Sequence, residues 1–350
     1  MSLSVDKDLK LYDVTLRDGN HAVRHQLSAD FVRKYCIAAD KSGAWAIEVG
    51  HGNGLGASSY LVGQALESDY KLLATARENL KQTKLAIHAI PGFATITKDL
   101  APAIDLGVDI FRIATHATEA DTSQSHIEYL KSRDKTVHGV LMMNHVLGVS
   151  ELALQVKTMI SFGAEAVILM DSAGHLLPSD CKERVSALVE EFGIEIGMHA
   201  HNNLGVAASN ATAAFEAGAR IIDGASMGLG AGAGNAQLEI IVALFERIGF
   251  TDKSALKFLP ASQIVNTSYQ DYLPRVTSSS IMSGMYGVFS GYAPFVVALA
   301  NKYQIELGHL WAAISEANLV AGQESILIEI AQSLAAKESS KHSLGNDIKE

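Results

Sequence analysis

The chain reads as an α/β protein, a (β/α)8 TIM barrel over residues 1–259 followed by an all-helical C-terminal domain over 260–350. Three observations predict this. Short apolar segments recur about every 25 to 35 residues, with an amphipathic segment between each pair. Each apolar segment is nearly continuous in Ile, Val, Leu or Ala rather than alternating, as expected of strands covered on both faces. Beyond Leu259 the strand pattern stops and only helical periodicity remains.

Taken in order, strands are expected at Leu9–Leu16, Ala44–Val49, Leu85–Ile90, Asp109–Thr115, Val137–Met143, Ala166–Met170, Glu195–Ala200 and Ile221–Ala225. Helices are expected between them, among others at Ser28–Ser42, Asp69–Gln82, Ser150–Phe162, Pro178–Phe192 and Gly205–Ala217. Ser28, Ser150 and Ser179 are the expected N-caps, and Gly43, Gly163, Gly193 and Gly218 the expected stops. The pairs Gly43-Ala44, Gly107-Val108, Gly163-Ala164 and Gly218-Ala219 mark the turns from helix back to strand. A doubly wound open sheet is the alternative, but no dinucleotide fingerprint follows the first strand. In the C-terminal domain the pattern predicts helices at Pro260–Leu273, Gly291–Tyr303, Leu307–Asn318 and Gln323–Ala336, with a frayed polar end at Lys337–Glu350.

Composition supports a large globular core. The 350 residues are 48% hydrophobic and 19% charged, which excludes wholesale disorder. The net charge is −10 and no Lys/Arg stripe is present, so nucleic-acid binding is not expected. No apolar run approaches the ~18 residues of a membrane span. The segment Met1–Leu11 is polar and has no apolar signal core. Cys36 and Cys181 lie far apart in helical patterns and read as reduced core thiols. Together these features predict a soluble cytoplasmic protein.

In a barrel of this kind the active site lies at the C-terminal ends of the strands. Strand one ends in Thr15-Leu16-Arg17-Asp18-Gly19-Asn20-His21, and strand seven in His199-Ala200-His201-Asn202-Asn203. The other ends carry Glu48, His51, His88, His116, Asn144, His145, Asp171 and Ser172. Residues two apart on a strand face the same way, so His199 and His201 aim at one point in the barrel mouth. With Asp18, two strands away in the closed barrel, they make a two-His, one-carboxylate site for a divalent metal with open positions for substrate. Arg17 and Asp18 are either a structural ion pair or a division of labour, Asp18 on the metal and Arg17 on a developing oxyanion. His21 is either an exposed loop histidine or a base. The glycine stretch Gly224–Gly234, with Asn235 after it, has no P-loop ending but can present backbone N–H groups to an anion. No strand core carries a lysine; Lys10 and Lys84 sit at strand starts, the wrong end. Imine chemistry is therefore disfavoured and metal-assisted chemistry favoured.

The string Asp13-Val14-Thr15-Leu16-Arg17-Asp18-Gly19 with His21, together with His199-Ala200-His201, resembles the metal-dependent lyase and synthase superfamily on this barrel. Further strings narrow the resemblance to the 4-hydroxy-2-oxovalerate aldolases. They are Arg24-His25-Gln26, Ile47-Glu48-Val49 with His51-Gly52, Ala114-Thr115-His116, Leu141-Met142-Met143, Asp171-Ser172, Gly230-Ala231-Gly232-Ala233-Gly234-Asn235, and Val320 to Glu324. It runs from about Leu11 to Leu334 and implies metal-dependent cleavage of a 4-hydroxy-2-oxo acid to pyruvate and an aldehyde such as acetaldehyde. The implied metal is Mn2+, with Mg2+ or Co2+ as substitutes. By match of residues, Asp18, His199 and His201 are the implied ligands, with Asn235 at a position that ligates metal in some members. His21 matches the base, Arg17 the enolate-stabilising group, and Ser172 a contact to the pyruvate half, with His199 also facing substrate. An acylating aldehyde dehydrogenase is the implied protein partner, and an oligomer the expected state.

Two departures from the family pattern stand out. Phe289, in Gly287-Val288-Phe289-Ser290, replaces a tyrosine that reaches the active site, so stereoselectivity or chain-length preference is expected to differ; Tyr286 or Tyr292 would have to compensate. Ala321 stands where the family carries glycine, on the route to the partner. Two other readings compete. A Claisen-type acyl-CoA synthase or CoA lyase is disfavoured because the loop Met227–Asn235 holds no cysteine and no long regulatory region follows. A non-catalytic scaffold has no need of converging polar groups at a barrel mouth.

Overall fold

The computed structural model describes residues 8–317, 319 and 323–346. Eight parallel strands close into a barrel in sequence order. They are β1 (Lys10–Leu16), β2 (Ala46–Val49), β3 (Lys84–Ala89), β4 (Ile110–His116), β5 (Thr136–Met142), β6 (Ala166–Asp171), β7 (Glu195–Ala200) and β8 (Ile221–Gly224). Every expected strand is present within two residues of its expected ends. β8 closes on β1, with Ile222 opposite Leu11 and Asp223 opposite Tyr12.

Alternation sorts each strand into two faces. Outward residues such as Ile47, Ile87, Phe111, Leu141 and Val167 pack against the helices in one large apolar core. Inward residues, among them Tyr12, Ala46, Ala86, Ile110, Val140, Ile168 and Ile221, fill the lower barrel as a second, smaller core. Trp45 lies at the bottom, with the Lys10 and Lys84 ammonium groups 4.8 and 4.3 Å from its ring centroid. These lysines are thus at the end opposite the barrel mouth.

Helix starts follow local chemistry, with two corrections. Ser28 caps Ala29–Ala39, its hydroxyl accepting from Phe31 N. Ser150 and Ser179 are not caps. The helices begin earlier, at Val149 and Pro178, because Glu151 and Asp180 reach back to accept from Gly148 N and Leu177 N at 3.1 and 2.9 Å. A carboxylate three residues into the helix satisfies the free N–H as well as a capping serine does. Gly43, Gly163, Gly193 and Gly218 all have positive φ, as stops in the left-handed region require. Cys36 and Cys181 are buried free thiols.

Helix Leu259–Tyr269 opens the segment expected to form the second domain, but its buried Ala261 and Val265 share the barrel's outer core. A separate core of Val288, Tyr292, Val296, Leu310, Trp311, Ile314 and Leu327 holds the remaining helices together. These include Ala293–Tyr303, Leu307–Glu316 and Glu324–Asn346. The expected frayed end at Lys337–Glu350 is corrected as far as Asn346, through which the last helix continues; residues 347–350 lie outside the described residues. A further helix, Ser278–Tyr286, was not expected from its serine-rich sequence; the Thr277 hydroxyl caps it by accepting from Ser280 N. Among the described residues no helix is long and apolar enough to cross a membrane.

Candidate active site and metal centre

β1 ends in an irregularity. Its register with β2 shifts between Asp13 and Leu16, and the chain then turns into the short helix Gly19–Ala22. A bulge re-aims the residues beyond it, so Arg17 and Asp18 both reach the mouth although they are neighbours. Asp13 stays outside the barrel, where it accepts from the Tyr35 hydroxyl at 2.6 Å and ties β1 to the helix Ala29–Ala39.

Asp18, His199 and His201 converge as their spacing requires. One ligand atom from each lies within 4.8 Å of the other two, and all three side chains are buried. His199 Nε2 stands 3.1 Å from Asp18 Oδ2 and His201 Nε2 3.6 Å from the same oxygen. His199 Nδ1 donates to Asp223 Oδ2 at 2.8 Å, which turns its Nε2 toward Asp18. The second oxygen of Asp18 accepts from Ala231 N at 3.1 Å, so the glycine-rich loop spends a backbone N–H on this carboxylate. Burial works against charge on Asp18, but Arg17, His201 and His199 outweigh it and hold its pKa well below the carboxylate range. Burial drives His201 down to about 4. For His199, burial is outweighed by Asp18 and Asp223, and its pKa rises. Two imidazoles and one ionised carboxylate at one point are a donor set for a divalent ion. Asn235 joins this wall through a backbone bridge with His201, and its buried Oδ1 has no partner among the described residues.

Arg17 is held on three sides. Its Nε donates to Glu48 Oε1 at 2.6 Å, and its Nη1 to Asp18 Oδ2 at 3.1 Å and Gly52 O at 3.3 Å. Its Nη2 is buried with no partner among the described residues. A fixed guanidinium with one unspent donor is suited to a developing oxyanion. His21 is half-buried on the edge of a cavity of about 380 Å³ between barrel and helical domain. Its ring lies against the backbone of Gly52, where an added Cβ would fall 2.6 Å from Cδ2. Burial lowers its pKa to about 4, so the ring is neutral at pH 7.

Ser172 follows β6 and is buried; its hydroxyl accepts from Met143 N at 3.1 Å, and its carbonyl accepts from the Ser290 hydroxyl at 3.0 Å. His88 points inward from β3 with Nδ1 buried and without a partner among the described residues, and burial, with Arg17 next, keeps it neutral. Several strand-end residues do not enter the site. His51 stacks on His25 and bonds Gly63 O. His116 bonds Thr118, and His145 bonds Gly287 O. Asp171 faces the helices and accepts from His175 N and Leu176 N. Of the two tyrosines that might replace the missing hydroxyl at Phe289, Tyr292 is enclosed in the helical core with Phe289 edge-on at 5.6 Å. Tyr286 lines a second cavity of about 330 Å³ with Met143, His145 and His175. Ala321 lies outside the described residues.

Sequence reading missed Arg112 and Asp223. Both are buried inside the barrel and paired at 2.7 Å. The only signal was a charged residue inside an otherwise apolar strand.

Fold and site together define a barrel enzyme with a metal-binding mouth. The chain belongs to the HMGL-like family, whose model matches residues 8–266, and residues 274–336 match the DmpG-like communication domain. Over 332 residues it is 47% identical to a protein from Pectobacterium atrosepticum named 4-hydroxy-2-oxovalerate aldolase, covering 95% of this chain and 97% of that one. A protein of the same name from Spirochaeta aurantia is 48% identical over 338 residues, 96% of this chain and 99% of its own. Among solved structures, the N-terminal domain of a putative aldolase from Bacteroides vulgatus superposes with a TM-score of 0.72 at 21% identity, over 83% of this chain and 97% of that one. The carboxyl transferase domain of Rhizobium etli pyruvate carboxylase with pyruvate gives 0.76 at 19% identity, over 95% and 61%. At these identities the two structures attest the fold.

Proposed function

We propose that the protein is a class II aldolase that cleaves 4-hydroxy-2-oxovalerate, or a similar 4-hydroxy-2-oxo acid, to pyruvate and an aldehyde. One observation carries the reading. The buried Asp18, His199 and His201 ligand atoms meet within 4.8 Å beside an Arg17 guanidinium whose Nη2 is unspent.

Asp18, His199 and His201 would hold the divalent ion, with Asn235 Oδ1 as a further oxygen donor. Mn2+ suits this set, with Mg2+ and Co2+ as substitutes. When bound, the ion supplies Lewis-acid polarisation of the 2-oxo group. The rest is done by the chain. Arg17 Nη2 donates to the oxygen on which negative charge develops. The Ser172 hydroxyl, which accepts from Met143 N, keeps its own proton to donate toward the pyruvate half. His21, neutral at pH 7, takes the proton of the 4-hydroxyl. The C3–C4 bond then breaks, C4 becomes the aldehyde carbon, and the bonding pair passes into the enolate of pyruvate, which takes a proton at C3 from solvent water as His21 returns its proton to solvent. The cavity beside His21 gives the aldehyde a way out of the mouth.

The same proposal includes an acylating aldehyde dehydrogenase as partner, supported by the communication-domain match over residues 274–336. Co-purification with such a dehydrogenase, and its loss on deleting that segment, tests this part. The activity itself is tested by pyruvate release from racemic 4-hydroxy-2-oxovalerate. No release with any divalent metal would overturn the assignment.

A further inference from the structure

Six buried side chains form a closed ring of ion pairs and hydrogen bonds. Asp18 pairs with Arg17, Arg17 with Glu48, Glu48 with Arg112, Arg112 with Asp223, Asp223 with His199, and His199 with Asp18 again. The contacts run from 2.6 to 3.1 Å. Five members have been given a place at the mouth or beside it. Arg112 touches neither the metal ligands nor the mouth; it sits one layer below them, fully buried, with its guanidinium 4.8 Å from the Tyr12 ring centroid.

We propose that Arg112 is a positioning residue for the reaction. Its planar fork orients the oxyanion donor on one side and a metal ligand on the other. Nη1 donates to Glu48 Oε2 at 3.0 Å, and Glu48 spends its other oxygen on Arg17 Nε. Nη2 donates to Asp223 Oδ2 at 2.7 Å, and the same oxygen accepts from His199 Nδ1. One guanidinium thereby fixes the two carboxylates that aim Arg17 and His199. A lysine ammonium lacks the two parallel donors this requires. Stability does not account for the arrangement. Barrel interiors are ordinarily filled by branched apolar side chains, and buried ions replaced by apolar groups of similar volume often leave a protein as stable or more so. A group that hydrogen-bonds the far nitrogen of a metal-bound histidine, in contrast, sets the ligating nitrogen and its basicity.

The ring has a charge argument as well. Three carboxylates and two guanidiniums leave one negative charge when His199 is neutral. That surplus faces the point where the Asp18, His199 and His201 atoms meet and favours a cation there. Arg112 also keeps Glu48 and Asp223 from adding further unpaired charge below the site.

The inference rests on the aldolase reading only for its kinetic arm. The test is Mn2+ titration of metal-stripped protein, with free Mn2+ followed by electron paramagnetic resonance. Wild type, Arg112→Lys, Arg112→Gln and Asp223→Asn are compared, with circular dichroism to establish folding. A positioning role predicts Mn2+ binding about 10- to 100-fold weaker in Arg112→Gln and Asp223→Asn, with Arg112→Lys between them and wild type. It also predicts a fall in kcat greater than any rise in KM. Mn2+ affinity within twofold of wild type in the folded variants, with only thermal stability lowered, would show a purely structural ion pair and overturn the proposal. If Arg112→Gln does not fold, Arg112→Lys and Asp223→Asn decide the matter by the same criterion. Wild-type protein that binds Mn2+ but releases no pyruvate would defeat the substrate assignment and leave the metal-binding test intact.

Discussion

Gly52→Ala is a small change at a residue that carries no functional group, and its expected effect is large. Gly52 is buried under the His21 ring, and its conformation is one that alanine can adopt. A Cβ placed there would lie 2.6, 2.7 and 2.7 Å from three ring atoms of His21. Carbon atoms in ordinary contact stand at least about 3.4 Å apart, so the ring must retreat by about 0.8 Å. The ring is rigid and half-enclosed, and the neighbouring Gly52 carbonyl also holds Arg17. A displacement near 1 Å of a group aligned with the reacting bond costs on the order of 100-fold in rate. Gly52→Ala is therefore expected to lower kcat by roughly 30- to 100-fold, about 2 to 3 kcal/mol in barrel-mouth alignment. Mn2+ affinity should stay near wild type, because Asp18, His199 and His201 do not touch Gly52. The assay is pyruvate release coupled to lactate dehydrogenase, run beside His21→Ala and a Mn2+ titration. A kcat within twofold of wild type would refute the placement of His21 as the base.

Other consequences follow from the same geometry. Arg17→Lys keeps a charge but loses the unspent Nη2, and should cost roughly 100- to 1000-fold in kcat; an unchanged kcat at saturating substrate would contradict its role. Burial puts His138 at about 3 and His145 at about 4, both below their ordinary value of 6.5. The unfolded chain therefore binds protons near pH 6.5 that the folded chain takes up only below about 4. Stability should fall as pH drops through that window, seen as a lower urea midpoint at pH 5 than at pH 7.5; equal midpoints would count against it. Phe289→Tyr restores a hydroxyl next to the barrel–helix junction and should widen the difference in kcat/KM between the two 4-hydroxy enantiomers. An unchanged ratio would show that this position does not set stereochemistry.

The barrel was legible because its rules are local. Continuous apolar segments, glycine stops and Gly-Ala turns mark each βα unit, and strand ends shifted by no more than two residues. The His199-x-His201 pair was legible for the same reason, since alternation alone puts both on one face. What escaped the sequence depends on tertiary context. Arg112 pairs with Glu48 and Asp223, 64 and 111 residues away, and a charge inside an apolar run carries no local mark of its partners. Ser150 and Ser179 looked like caps because serine is a cap residue, but the carboxylates of Glu151 and Asp180 supplied the acceptor and moved the start upstream. The helix Ser278–Tyr286 hid behind serines that favour loops; packing under Leu204 and the barrel rim supplies what its propensity lacks. His21 was undecidable from spacing, because only the fold places its ring on Gly52 and at a cavity edge.

The proposed site makes 4-hydroxy-2-oxo acid cleavage depend on a divalent metal held by Asp18, His199 and His201. Metal-stripped protein should release no pyruvate from racemic 4-hydroxy-2-oxovalerate, should regain activity on addition of Mn2+, and should lose that response in His199→Ala. Release that persists without metal, or that survives in folded His199→Ala, would contradict the claim.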